Sequence, residues 1–562
     1  MTSSQPMIQD HTTLCLGKPT LAVGNAATGD CAAVLARWQQ DAATMGLEAA
    51  TEALRGDFAL GVTVPDGGGL LAVDRFAMRT MCWRFDNGKL RFAERADELC
   101  DANANIDPQA IFDYLFFHAI PSPRTIFRGV YRLPPGHCLS IEQGRPVVRP
   151  YWRPKFEASK DASFDMLRDE FRRLMLDAVR TQLDGSKPAC FLSGGTDSST
   201  ITGMAAQALG QQRVATYSIG FDAAGYDEMA YARLAAKRYR TEHHEYYVTP
   251  ADLVSGIPLV AAAYDQPFGN SSALPAYYCA LMARNDGVSR ILAGDGGDEL
   301  FGGNSRYAKQ QVFELYQRVP SALRRGLLEP LLGQPGAQRL PFVRKAASYI
   351  EQARLAMPAR LSLYNLVLRL GVDRVLTPAM VAQFDQSAPL RHQQESWDAA
   401  NADDILNREL AFDWRYTLGE IDIPKVRGTA TLAGLSVGYP MLDQRLVEFS
   451  MRLPGDYKLR GKQLRWFFKE ALKGFLPDEI ITKEKHGFGL PFGLWASRDS
   501  ALRQLSRSSL ERLVDRGMVR GDFVNELLDR LLPEHPGYYG EMVWILMMLS
   551  QWLDAKAPTT RL

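Results

Sequence analysis

The sequence has little of three things, and each shortage excludes a class of function. Cysteine is sparse and unpaired: Cys15, Cys31, Cys82, Cys100, Cys138, Cys190 and Cys279 make an odd seven with no CxxC spacing. A zinc site or a disulfide framework is therefore not expected, and a reducing cytoplasm is. Long apolar runs are missing: none approaches the roughly 20 residues that span a bilayer, and Met542 to Leu549 reads as a buried helix. Met1 to Thr13 is polar, without the basic and apolar regions of a signal peptide. Net charge is only +1, so no global field favours nucleic acid or an anionic membrane. Internal repeats and low-complexity tracts are absent too.

What is there is a long chain of ordinary globular composition, 562 residues with 46% hydrophobic and 23% charged. That length exceeds one core and implies two or three domains. In the first part, short apolar runs alternate with turn signals. Phe58 to Val62 and Leu70 to Val73 flank a turn at Pro65 to Gly69 and read as a hairpin, preceded by a helix from Ala32 to Ala42. Strand signals fade in the charged stretch from Trp152 to Asp161, which divides the chain into residues 1–155, an α+β domain, and 156–562. Beyond it, strands and helices alternate. A helix over Met166–Gln182 precedes a strand over Ala189–Leu192 and a helix over Ser199–Leu209. A strand over Val214–Phe221, a helix over Glu228–Tyr239, a strand over Glu245–Val248 and a helix ending near Tyr264 come next. A helix over Ala276–Ala283 then leads to a strand over Arg290–Ala293. Alternation of this kind predicts βαβ units and a parallel, Rossmann-like sheet, followed by a mostly helical region.

Three segments carry chemistry. Phe191-Leu192-Ser193-Gly194-Gly195-Thr196-Asp197-Ser198-Ser199 joins a strand to a helix. Ligands of open α/β sheets bind beyond the carboxyl ends of strands. Adjacent glycines let backbone approach a ligand, and the N–H groups of the turn suit an anion. Asp197 would repel phosphate unless a cation such as Mg²⁺ lay between them. The segment is not the GxxxxGK[ST] loop, being shorter and without lysine. Alone it could be a plain Gly-Gly turn capped by serine. The second segment, Ile291-Leu292-Ala293-Gly294-Asp295-Gly296-Gly297-Asp298-Glu299, is another glycine-rich, acid-loaded strand exit. Two such loops on adjacent parallel strands would share one crevice, with Asp197 and Asp298 sharing the metal. The third, Thr482-Lys483-Glu484-Lys485-His486-Gly487-Phe488-Gly489, could bring a cation to the phosphates. Alone it reads better as surface charge.

Together these segments resemble the asparagine synthetase family of ATP-pyrophosphatases, with its β-lactam synthetase and lasso-peptide cyclase relatives. Further stretches share the resemblance: Thr216 to Phe221, Tyr226-Asp227-Glu228, Asp265-Gln266-Pro267-Phe268, Pro440-Met441-Leu442-Asp443, and Asp74 to Arg79 in the first domain. The resemblance implies a degenerate glutaminase-like sandwich followed by a synthetase domain. It implies ATP and Mg²⁺ as cofactors, with Ser193, Gly194, Gly195, Asp197, Ser198 and Ser199 on the phosphates. Leu192, Ile219 and Gly294 would line the nucleotide pocket, Asp197 and Asp298 would hold the metal, and Lys485 and Asp295 would be catalytic, Asp295 toward the incoming amine.

The chain also departs from that family. No cysteine stands at the N-terminus, where a glutaminase nucleophile would be; Cys15 lies too far in, and the Asn-Gly-Glu segment is missing. Lys425-Val426-Arg427-Gly428 and Ser436-Val437-Gly438-Tyr439 replace patterns that usually carry further acidic and arginine residues. The implied activity is AMP-forming amide ligation without glutamine hydrolysis. Alternatives are a lasso-type macrolactam cyclase, asparagine synthetase proper and a non-catalytic scaffold. The implied partners are a small-molecule or peptide carboxylate, with a precursor peptide and protease in the cyclase case. A homodimer is an open option, and neither nucleic acid nor membrane is expected.

Overall fold

The computed structural model describes residues 8–9, 12–23, 26–64, 68–100, 105–159, 162–223, 225–317, 319–320, 323, 349–350, 352–483 and 489–561. The N-terminal strands are β1 (Ile8–Gln9), β2 (Thr13–Gly17), β3 (Leu21–Val23), β4 (Ala26–Thr28), β5 (Phe58–Thr63), β6 (Gly69–Val73), β7 (Cys82–Asp86), β8 (Lys89–Ala93), β9 (Tyr131–Arg132), β10 (His137–Glu142) and β11 (Arg145–Pro150). Six form an antiparallel sheet in the order β1-β2-β5-β6-β10-β11, and β8-β7-β9 form a second sheet. The expected hairpin is β5 with β6, in register Ala59↔Val73; part of its turn, 65–67, lies outside the described residues.

Both faces of the six-stranded sheet are buried, as the period-2 alternation of its side chains shows. Cys15, Leu60, Val62 and Ala72 face the helices α1 (Cys31–Met45) and α2 (Leu47–Glu52), around the buried Trp38. Leu14, Leu16, Leu71 and Val73 face the second sheet through Met81, Trp83 and Leu90. The α+β sandwich is therefore three layers deep, and it continues through α3 (Pro108–Phe117) into the rest of the molecule.

The second region opens with α4 (Phe164–Gln182), β12 (Ala189–Phe191), α5 (Thr196–Leu209), β13 (Ala215–Phe221), α6 (Met229–Tyr239), β14 (Glu242–Val248), α7 (Pro250–Ala263), α8 (Ala273–Asn285), β15 (Arg290–Leu292) and α9 (Gly297–Phe301). A short strand, β16 (Ser436–Gly438), completes a five-stranded parallel sheet in the order β14-β13-β12-β15-β16. Two rows of helices cover it, α4-α5-α6 and α7-α8 with the helix Ile423–Leu432. Expected and observed elements differ at several places, α8 for one starting at Ala273 rather than Ala276. Helix α5 begins at Thr196 rather than Ser199, because Gly195 is extended and Asp197 fits a helix first turn. Strand β14 begins at Glu242 rather than Glu245, because it is an edge strand whose first residues are polar. The three residues of β16 are too few to give a periodic signal. Met542–Leu549 is buried as expected, within the helix Pro536–Lys556. No described helix is long and apolar enough to cross a membrane.

The two regions are joined by buried polar contacts. Glu420 is 3% exposed and pairs with Arg132 and Arg415, while the Ser122 N–H and hydroxyl donate to it at 3.0 and 2.7 Å. Burial alone would raise its pKa; the two guanidiniums overcome that and hold it near 2. The motifs at residues 74–79 and 265–268 serve the same joint. Asp74 accepts backbone N–H groups from Phe58, Phe76, Met78 and Arg79, shaping the turn that carries Phe76 onto Trp414. Asp265 accepts from the Ala96 N–H at 2.9 Å and Gln266 from the Ile126 N–H at 3.3 Å.

Glu420→Gln should leave Arg132 buried without its counter-charge and destabilise the protein by about 3 kcal/mol at pH 7. Because the folded pKa lies below the unfolded value near 4.5, the parent's advantage is complete above that pH. It declines as pH falls toward 2, which denaturant melts of both proteins across that range would show.

Candidate functional site

The strand order places a topological switch point between β12 and β15. From β12 the chain winds outward to β13 and β14; β15 lies on its other side and leads to β16. Loops leaving two strands at such a point diverge around a crevice, where ligands of these sheets bind. The two glycine-rich segments are those loops.

They come together because glycines let them. A Cβ on Gly294 would sit 2.8 Å from the Ser198 nitrogen and 3.0 Å from the Asp197 carbonyl carbon. A Cβ on Gly297 would overlap the Asp197 carboxylate. Gly194 has φ of +75° and lies against α6, where a Cβ would be 2.5 Å from the Ala232 nitrogen. Within the first loop, the Ser193 N–H donates to Ser198 Oγ at 3.2 Å, and the two hydroxyls are 3.0 Å apart. The Gly195 N–H donates to Ser193 Oγ at 3.4 Å. Ser193 is exposed at the mouth of the turn. Ser199 is fully buried on α5, and its hydroxyl has no hydrogen-bond partner. Leu192 is buried beneath the loop with Met229, Ala232 and Ile480. Ile219 is half-buried near the end of β13.

The electrostatic centre is a residue that sequence reasoning missed. Arg465 follows a hairpin of β17 (Leu459–Arg460) and β18 (Gln463–Leu464) and is 5% exposed. Its guanidinium donates to both Asp197 oxygens, at 2.5 and 2.7 Å, and to Asp298 and Thr196 Oγ1. The carboxylates of the two loops thus converge on one cation. Hard oxygen donors of this kind suit Mg²⁺, and Gly303 leaves no side chain in the way: a Cβ there would overlap Asp298 and Arg465. Asp197 and Asp298 are the residues that would hold a divalent cation here.

Asp295, on the second loop, is as exposed as Asp197 and Asp298. Burial pushes its carboxyl up to about 6, while Lys425, 3.8 Å away, pulls it down. Lys425 is also 2.8 Å from Asp422; burial would lower its pKa, but the two carboxylates hold it above its ordinary value. Lys485 lies outside the described residues. Its neighbour Lys483 ends a short helix whose Ile480 packs with Leu192, and pairs with Glu228 at 2.9 Å over the Tyr231 ring. Arg427 points elsewhere, donating to the Met78 carbonyl of the N-terminal region at 3.2 Å. Gly438, which ends β16 opposite Leu292, faces α4: a Cβ would overlap Gln182 Oε1 and lie 3.0 Å from Arg290 Nη2.

Comparison with known proteins bears on this arrangement. A family profile described as asparagine synthase matches residues 170–554, and one described as a glutamine amidotransferase domain matches residues 23–152. The chain belongs to the asparagine synthase family. It is similar to asparagine synthetase [glutamine-hydrolyzing] 1 of Bacillus subtilis, 23% identical over 487 residues, which cover 86% of this chain and 74% of that protein. A putative asparagine synthetase [glutamine-hydrolyzing] of Mycobacterium bovis is 25% identical over 470 residues, 81% of this chain and 68% of its own. The amidase chyE of Penicillium rubens is 24% identical over 522 residues, 83% of this chain and 74% of its own. As a member of the asparagine synthase family the chain is an ATP-dependent carbon–nitrogen ligase.

An acid held near pH 6 in this crevice costs stability whenever it ionises. Asp295 favours folding below its unfolded pKa near 3.8, and that benefit is lost as pH rises toward 6. Asp295→Asn should therefore gain on the parent between those values and stay ahead at pH 7, by about 3 kcal/mol. Denaturant melts at pH 4 and pH 7 measure the gain, and an unchanged difference contradicts it.

Proposed function

We propose that this chain adenylates a carboxylate with ATP and passes the acyl group to an amine or to ammonia that it does not itself release from glutamine. The carboxylate oxygen bonds to the α-phosphorus and pyrophosphate leaves; the amine nitrogen then bonds to the acyl carbon and AMP leaves. The observation that carries this reading is the contact of the two strand-exit loops at the switch point, with Gly294 against Asp197 and Ser198. Backbone N–H groups of Gly194, Thr196 and Asp197 would face the phosphates. Mg²⁺ held by Asp197 and Asp298 would neutralise phosphate charge. Asp295, ionised above about pH 6, would take the proton of the attacking amine, beside Lys425. Lys485 would add positive charge near the leaving pyrophosphate.

The absence of glutamine hydrolysis is supported by the thiols. Cys15 lies inside β2 with β1 and β5 on either side, and burial and Cys31 push its pKa far up. None of the seven cysteines is exposed. A thiol nucleophile must be accessible and easily ionised. The same observation favours a second reading, a peptide carboxylate closed onto the peptide's own amine, since such a substrate needs no ammonia. Free thiols also fit a reducing cytoplasm.

Exchange of labelled pyrophosphate into ATP, scanned over carboxylate substrates and short peptides, tests adenylation. Asp197→Ala should lower exchange by at least about 10²- to 10³-fold. Undiminished exchange in that variant would remove Asp197 from the site, and no exchange with any carboxylate would favour a scaffold.

A further inference from the structure

The Arg465 guanidinium stands where the phosphate and metal chemistry of the cleft would take place. It is shared by three groups from two loops: Asp197, Thr196 and Asp298. Its backbone is left-handed, with φ of +55°, a conformation that a residue with a Cβ seldom adopts. Its buried Nε has no hydrogen-bond partner, and the Phe468 ring lies 5.6 Å from the guanidinium carbon. The main chain is anchored separately, the Arg465 N–H donating to the Gly302 carbonyl at 3.2 Å. The side chain can therefore rotate without the loop letting go.

We propose that Arg465 is a resident counter-cation: it holds Asp197 and Asp298 together in the metal-free protein, is displaced from them by the divalent cation, and then bonds the phosphate oxygens of the incoming nucleotide. The proposal rests on the reading of this cleft as the nucleotide site. A dication and a guanidinium repel each other strongly at one pair of carboxylates. Arg465 already touches Thr196 on the phosphate-facing turn, so a short rotation carries it from carboxylate to phosphate. A planar fork of donors serves both partners, which a lysine cannot match. Metal would then bind poorly alone and well with nucleotide, because displacing Arg465 costs little only when phosphate receives it.

The test is Mn²⁺ binding, read as free Mn²⁺ by electron paramagnetic resonance, with and without α,β-methylene-ATP, which cannot lose pyrophosphate. Arg465→Gln should bind Mn²⁺ alone at least tenfold more tightly than the parent and bind the Mn²⁺–analogue complex at least tenfold more weakly. Arg465→Lys should lie between parent and glutamine in both measurements, which keeps the test usable should Arg465→Gln not fold. If neither variant gains affinity for Mn²⁺ alone, or if both lose metal and nucleotide together, Arg465 is a structural clamp and the proposal is overturned. If the parent itself fails to bind the Mn²⁺–analogue complex, the reading of the cleft as a nucleotide site falls, and the proposal with it.

Discussion

Two carboxylates that the backbone forces together need a positive charge, and much of this molecule is arranged around that need. Asp197 and Asp298 approach because Gly294 and Gly297 bring the two strand exits into contact with no side chains between them. Like charges brought close together repel, so a cation between the loops stabilises their contact. Arg465 supplies one, from a hairpin more than 150 residues beyond Asp298. Three remote stretches of sequence thereby depend on one guanidinium, and the position it marks is one where a metal and phosphates can be bound.

The same logic extends outward to the joint between the regions. Glu420 is buried against Arg132 and Arg415, and Asp74, Asp265 and Gln266 spend their side chains on backbone N–H groups at or beside that joint. Asp74, in a stretch that resembles the glutaminase half, thus has structural work independent of any glutaminase. The N-terminal sandwich packs on the synthetase half, with Phe76 and Trp152 both against Trp414.

The crevice was legible in the sequence because its determinants are local: a short apolar strand, two glycines and an acid, occurring twice. The adjacency expected of the two loops is the observed pairing of β12 with β15. Arg465 was not legible, since a single arginine after a Gly-Lys turn looks like any solvated charge and gains meaning only when the fold delivers it to two acids. Gly438 ends its strand opposite Leu292 and faces Gln182 and Arg290, a direction that sequence alone does not give. The helix start at Thr196 was obscured for a related reason. Glycine and aspartate signal a turn by composition, yet here they form the N-terminus of α5.

The central claim is that two loops a hundred residues apart form one nucleotide site. Hydrogen exchange of the whole protein with and without Mg²⁺ and α,β-methylene-ATP tests it most directly. The account predicts that amides of residues 192–199 and 294–303 become protected together, with the same dependence on nucleotide concentration. Protection of one segment alone, or of neither, would contradict it.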